Sequence, residues 1–182
     1  DSTDPSETSE FTSGQIGEFD LFGTTMRADQ RAIVVHRQLP DGRRAFIFGD
    51  VSPDALDARG TAAAITALFL SVYRGWSWSP EIAIPRFLQL AYETMKRDHC
   101  VPGQFVSLVA GLVDSNREAV IVSGAGVESV LLWRSKAQRL DEVLLDRRPS
   151  PGVPYPDKGA PYPDYQGVPE YSAMSIDLAP NN

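Results

Sequence analysis

Apolar and polar positions near the start of the chain follow the short alternation that is typical of β-strands. This pattern predicts strands at residues 19–26, 32–38 and 43–51. The turn Pro40-Asp41-Gly42 joins the second and third strands into a hairpin. The third strand contains the unbroken apolar run Ala45-Phe46-Ile47-Phe48, as expected for a central strand that is covered on both faces.

The middle of the chain changes to helical spacing. A first helix is predicted from about Thr61 to Gly75, and Ser79-Pro80-Glu81 supplies an N-cap, a proline and a first-turn acid for a second helix that ends near residue 98. Strands are predicted again at residues 105–113, 118–123, 129–133 and 171–178. This order excludes regular βαβ winding and predicts an α+β fold in which an antiparallel sheet carries a helix pair on one face.

Charge is concentrated at the N-terminus. The 182 residues carry a formal net charge of −7, and the first 20 residues contain six acids and no base. This composition predicts an acidic disordered leader at residues 1–17, followed by a single domain at residues 18–182. Residues 149–169 of that domain hold seven of the 14 prolines, and they are interpreted either as a packed surface loop or as a Pro/Tyr-rich partner contact.

Several classes of protein are disfavoured by composition. No basic patch indicates nucleic-acid binding, and no apolar run approaches the ~18 residues of a membrane span. The single Cys100 excludes an intrachain disulfide, and no signal peptide is visible. A cytoplasmic location is therefore expected.

The strongest chemical feature is the pair Gly49-Asp50 at the end of the third strand. A carboxylate fixed by a buried strand and followed by a loop is well placed to bind a divalent metal. The alternative is that Asp50 only ends the strand.

The surrounding sequence favours the metal site through a resemblance. Four segments of the chain follow one another in a known order. They are FIFGDVSPDALDARGTAAAITALFL at residues 46–70, the three-strand block at residues 105–134, SPGV at residues 150–153 and IDLAP at residues 176–180. Together they resemble the SpoIIE-type branch of the PP2C-like (PPM) metal-dependent protein serine/threonine phosphatases of bacteria. The resemblance implies an αββα sandwich of two antiparallel β-sheets flanked by helices.

The resemblance also implies a chemistry. Enzymes of this family bind two Mn²⁺ or Mg²⁺ ions through aspartates and direct a bridging water at a phosphoserine or phosphothreonine. Asp50 matches the bridging aspartate, and Val51 supplies a backbone carbonyl to a metal. The family has another metal-ligating aspartate just before the second strand, and this position falls on Gln30 by direct alignment and on Asp29 after a shift of one residue. Arg27 lies where the family's phosphate-binding arginine is expected. The implied partner is a phosphorylated regulator similar to an anti-sigma-factor antagonist.

The sequence departs from the family in two places. The loop after GDV at residues 52–60 is about four residues longer and lacks the usual Gly-x-Gly, so that only Gly60 can match a loop glycine. Asp54 and Asp57 are candidate replacement ligands, and the alternative is that they are solvated loop acids. The YTDG motif, which carries a further ligand, would lie after Asn182. Two hypotheses follow: a phosphatase whose remaining ligands lie in that later segment or in the altered loop, and a pseudophosphatase that binds partners without chemistry.

Overall fold

The computed structural model describes residues 11–16, 19–24, 31–52, 55, 57–98, 104–134, 138–153 and 169–178. The strands are β1 Phe11–Ile16, β2 Phe19–Thr24, β3 Ala32–Gln38, β4 Arg44–Val51, β5 Val106–Asp114, β6 Ala119–Ala125, β7 Ser129–Arg134, β8 Arg139–Leu144 and β9 Met174–Asp177. The helices are α1 Ala58–Val72 and α2 Pro80–Asp98, joined by the 3₁₀ helix Tyr73–Ser77.

The strands in the described ranges form three antiparallel sheets. The main sheet has five strands in the order β3-β4-β5-β6-β9, and the pairs β1-β2 and β7-β8 form two-stranded sheets. The predicted β3-β4 hairpin is present, with Ala32 opposite Asp50 at one end and Gln38 opposite Arg44 at the other. The α+β class with antiparallel sheets is therefore confirmed.

One face of the five-stranded sheet is covered by α1 and α2, as predicted. At the centre of this layer the rings of Phe69, Trp76 and Phe87 meet with centroids 5.4 to 6.1 Å apart. The surrounding core is aliphatic and includes Ile33, Ile47, Val51, Ile65, Leu88, Met95, Leu108 and Leu112. Burial of this apolar surface is the main force that holds the helix pair on the sheet.

Side chains along β4 point alternately to the helix-covered face of the sheet and to its other face. Ile47 and Val51 point into the core beneath the helices, whereas Phe46 and Phe48 belong to a separate cluster. That cluster is completed by Val109, Val113 and Val120. Because successive side chains in a strand point to opposite faces, Asp50 lies on the same face as Phe46 and Phe48, away from the helices.

The predicted disordered leader needs a correction at residues 11–16. These residues form β1, which pairs with β2 from Phe11 opposite Thr24 to Ile16 opposite Phe19. The sequence FTSGQI contains no charged residue, although acids surround it on both sides, so its backbone can pair as a strand without like-charge repulsion. Residues 1–10 of the leader lie outside the described residues.

The predicted Pro/Tyr-rich loop is described only at its ends. Val106 donates its backbone N–H to the carbonyl of Pro151, and the Tyr171 hydroxyl donates to the carbonyl of Pro149. These bonds tie both ends of the loop to the domain.

Neither helix that the structure describes is long and apolar enough to cross a lipid bilayer.

Candidate metal site

Asp50 lies at the end of β4, between β3 and β5. Its backbone neighbours are Ala32 on one side and Ser107 on the other. The side chain is exposed, and within the described residues no hydrogen bond or ion pair holds its carboxylate. Asp50 is thus an exposed carboxylate on a fixed backbone, and its role as a metal ligand stays a prediction.

Gly49 determines how closely β4 and β5 approach each other. A Cβ atom at this position would lie 2.4 Å from the carbonyl oxygen of Ser107 and 2.6 Å from the side chain of Leu108. The missing side chain therefore lets β4 and β5 approach each other, and Leu108 fills the space. Gly49 thus fixes the spacing of β4 and β5 directly beside Asp50.

The residues that follow Asp50 are firmly anchored. The Val51 side chain is fully buried, and its backbone N–H donates to the carbonyl of Arg31 over 3.1 Å. Ser52 is bonded twice to Phe105: its backbone N–H donates to the Phe105 carbonyl, and its hydroxyl accepts from the Phe105 N–H. The backbone at Val51 is thus held rigidly, but its carbonyl remains only a predicted metal ligand.

Asp57 serves as the N-cap of α1. Its Oδ1 accepts a hydrogen bond from the Gly60 backbone N–H at 2.8 Å, and its own carbonyl accepts from the backbone N–H and the hydroxyl of Thr61. A Cβ on Gly60 would collide with the Asp57 carboxylate, so the glycine makes room for the cap. The helix therefore begins at Ala58 instead of near Thr61, and part of the long loop is the first turn of α1.

The remaining predicted site residues lie outside the described residues. These are the candidate ligands Asp29 and Asp54 and the candidate phosphate-binding residue Arg27. Ser107, which the sequence analysis did not consider, lies beside Asp50 on the same face of the sheet. A signal for it was present, because Ser107 is the one polar residue in the apolar run FVSLVAGLV at residues 105–113.

The described side chains do not form a complete two-metal centre. Across the described ranges there is no group of three or more histidine, cysteine, aspartate or glutamate side chains that could hold an ion. Hard cations such as Mn²⁺ and Mg²⁺ are bound through several oxygen ligands. The described donors are the Asp50 carboxylate, the hydroxyl of Ser107 beside it and the backbone at Val51, which is too few for two ions.

Comparison with known proteins gives matches at the level of structure. No family model matches the sequence, and no curated protein matches it. The fold is similar to the RsbU and RsbW domains of a Mycobacterium tuberculosis protein, with a TM-score of 0.61 and 16% identity over 84% of this chain and 37% of that chain. It is also similar to a variant of a bacterial serine phosphatase, with a TM-score of 0.58 and 11% identity over 94% of this chain and 72% of that one.

A third match is the PP2C phosphatase domain of SpoIIE from Bacillus subtilis, solved with a fragment of its regulatory domain. Its TM-score is 0.52, at 12% identity over 92% of this chain and 50% of that chain. The chain thus spans about a third to a half of the first and third of these structures. At these identities the matches show the fold alone, and that fold is PP2C-like, as the sequence resemblance implied.

Proposed function

We propose that this chain is a PPM-type, SpoIIE-like protein serine/threonine phosphatase domain of a bacterial signalling protein. The observation that carries the proposal is the exposed carboxylate of Asp50, which the PP2C-like fold holds at the end of a central strand on the face away from the helices. A second group at this position, the Ser107 hydroxyl, adds a polar neighbour on the adjacent strand.

The proposed substrate is a phosphoserine or phosphothreonine in a regulatory protein similar to an anti-sigma-factor antagonist, in the cytoplasm. Asp50 would hold Mn²⁺ or Mg²⁺, with the Val51 carbonyl as a backbone ligand and with Asp29, Asp54 or Asp57 as further candidates. Bound ions supply a water of lowered pKa in this class of chemistry. Arg27 is the proposed phosphate-binding side chain.

A second candidate function is a pseudophosphatase that binds phosphorylated partners without hydrolysis. It is favoured by the small number of metal donors among the described residues and by the use of Asp57 as a helix cap. Because water competes well for Mn²⁺ and Mg²⁺ when carboxylates are few, we expect this chain to be weak or inactive towards p-nitrophenyl phosphate even in millimolar Mn²⁺.

The two candidates are separated by one set of assays. Hydrolysis of p-nitrophenyl phosphate and of a phosphoserine peptide is measured over a Mn²⁺ titration for the native chain, Asp50→Asn and Asp177→Asn. Asp177 is a matched control, because it is another exposed aspartate at a strand end, in β9. Turnover that is lost in Asp50→Asn and kept in Asp177→Asn supports the phosphatase.

Turnover no higher than that of Asp50→Asn at every Mn²⁺ concentration supports the pseudophosphatase. Robust Mn²⁺-dependent turnover that survives Asp50→Asn would overturn the assignment of the site. Far-UV circular dichroism of each variant confirms that the fold is intact.

A further inference from the structure

A cleft of about 310 Å³ lies at the other end of the five-stranded sheet from Asp50. It is formed where the β3-β4 turn, the β5-β6 turn and the start of α2 meet, and it is lined by Asp41, Arg43, Ser77, Trp78, Pro80, Glu81, Asp114, Asn116 and Arg117. Asp50 and Arg43 are seven residues apart along an extended strand, which separates them by roughly 20 Å. The cleft is therefore a place distinct from the candidate metal site.

Four of the charged groups in the cleft neutralise one another. Arg43 pairs with Asp41 at 2.7 Å and with Asp114 at 3.7 Å, and Arg117 pairs with Asp114 at 3.7 Å. The Asp114 side chain is only 6% exposed, and its carboxylate also accepts the backbone N–H groups of Asn116 and Arg117. Both guanidinium groups thus already have carboxylate partners, so neither is an uncompensated positive charge in the cleft.

Glu81 supplies the excess charge of the cleft, although its carboxylate also attracts the Arg43 guanidinium electrostatically. Glu81 is exposed, and no hydrogen bond or ion pair joins its carboxylate to another described residue. Since the other two acids and two bases of the cleft balance, its lining carries one net negative charge, which is that of Glu81. Because Glu81 lies in the first turn of α2, its carboxylate also interacts favourably with the positive end of the helix dipole. This interaction does not require a cleft.

An apolar surface stands beside that charge. Trp78 is 87% exposed and Ile82 is 72% exposed, although large apolar side chains are usually buried. Trp78 follows the 3₁₀ helix and lies two residues before α2, and Ile82 lies in the first turn of α2, so both are close to Glu81 in the chain. An exposed indole face next to a carboxylate is the arrangement that binds a cation by both π and ionic attraction.

We propose that this cleft is a docking site for an arginine side chain of a partner protein. The guanidinium stacks on Trp78 and pairs with Glu81, and an apolar side chain next to the arginine covers Ile82. Arginine fits better than lysine, because its planar, weakly hydrated guanidinium can stack on an aromatic ring and bind a carboxylate at the same time. The proposal needs neither a metal nor hydrolysis, so it stands independently of the phosphatase assignment.

The test uses the indole N–H signals of the full chain in two-dimensional NMR spectra. The probe is the peptide acetyl-Leu-Arg-Leu-amide, and the control peptide carries citrulline, a neutral isostere of arginine. We expect the arginine peptide to shift the Trp78 indole signal in a saturable way. Trp133, which is also exposed but lies on β7, is an internal control whose signal stays in place.

Variants identify the contacts. Glu81→Gln should raise the dissociation constant of the arginine peptide by about two- to five-fold, the range expected of one exposed ion pair. Ile82→Ala should weaken binding of the same peptide, whereas Trp133→Phe should leave it unchanged. All three side chains are exposed, so these changes preserve the fold.

The proposal is overturned by equal binding of the citrulline peptide, by an equal shift of the Trp133 signal, or by an unchanged dissociation constant in Glu81→Gln. A Trp78 shift that depends on protein concentration alone would identify a second copy of this chain as the occupant and would also overturn it.

Discussion

Substituting Gly49 by alanine tests how the fold places Asp50. The new Cβ would lie 2.4 Å from the Ser107 carbonyl oxygen and 2.6 Å from the Leu108 Cδ2. Ordinary contacts between such atoms are roughly 1 Å longer, so both neighbours must move. Leu108 is fully buried and the carbonyl belongs to the backbone of β5, which leaves little freedom for either.

The expected cost follows from this crowding. Overpacking a well-filled core by one methyl group typically costs about 1–3 kcal/mol, and the backbone contact places Gly49→Ala near 3 kcal/mol. For a chain of this size that corresponds to a melting temperature lower by about 6–12 °C. Urea unfolding followed by circular dichroism measures the free energy directly.

Two controls make the result specific. Gly75→Ala adds the same methyl group where no atom lies within 4 Å, so it should change the free energy of unfolding by less than about 0.5 kcal/mol. In a Leu108→Ala background, Gly49→Ala should cost about 1 kcal/mol less than in the native chain, because one of its two clashes is removed. A Gly49→Ala change as small as that of Gly75→Ala would refute the account of the strand spacing.

Three further predictions concern polar groups. Thr61→Val should lower the free energy of unfolding by about 1–3 kcal/mol, because it leaves the buried Gln104 amide without the Thr61 hydroxyl, and Thr61→Ser should restore most of the loss. The hydrogen bond from Arg43 holds the pKa of Asp41 below its ordinary value. The ionised Asp41 therefore stabilises the fold above about pH 4, and this stabilisation is lost as the pH falls towards the pKa of the folded state. Between about pH 4 and pH 2, the stability of Asp41→Asn should therefore fall less steeply than that of the native chain, and parallel pH profiles would contradict this. Asp57→Ala should lower the free energy of unfolding by about 0.5–2 kcal/mol through loss of the α1 cap, whereas Asp57→Ser should cost little, and equal losses in both variants would argue against a capping role.

The parts of the fold that could be predicted from sequence are those with strong local signals. Ser79-Pro80-Glu81 placed the start of α2 at Pro80, and the Pro40-Asp41-Gly42 turn placed the β3-β4 hairpin. By contrast, β8 was not predicted, since RLDEVL alternates only partly and its pairing with β7 depends on cross-strand contacts. One of these is the ion pair between Arg134 and Asp141 at 2.8 Å, which spacing alone does not reveal.

For the candidate site, the sequence indicated the position of Asp50, whose role as a metal ligand stays a prediction, but not the packing of two glycines near it. Asp50 stands out because it interrupts an apolar strand, and its exposed position at the strand end agrees with that reading. Gly49 and Gly60 are both explained by close packing, against β5 and against the Asp57 carboxylate. A single sequence shows where a glycine is, but the atoms that exclude its side chain come from the tertiary structure.

The connection between β4 and α1 has a carboxylate at each end, Asp50 and Asp57, and only Asp57 is used to cap a helix. The Asp57 carboxylate already satisfies the Gly60 N–H at 2.8 Å, a cap worth about 0.5–2 kcal/mol. A bound ion adds only about 1.4 kcal/mol when its concentration is ten times its dissociation constant, so recruiting Asp57 to a weakly bound metal would cancel most of the gain. The Asp50 carboxylate makes no hydrogen bond or ion pair with another described residue. A working metal centre at Asp50 must therefore draw its remaining ligands from elsewhere. Asp29 and Asp54 are the other candidates from the sequence, and the phosphatase proposal depends on them more than on Asp57.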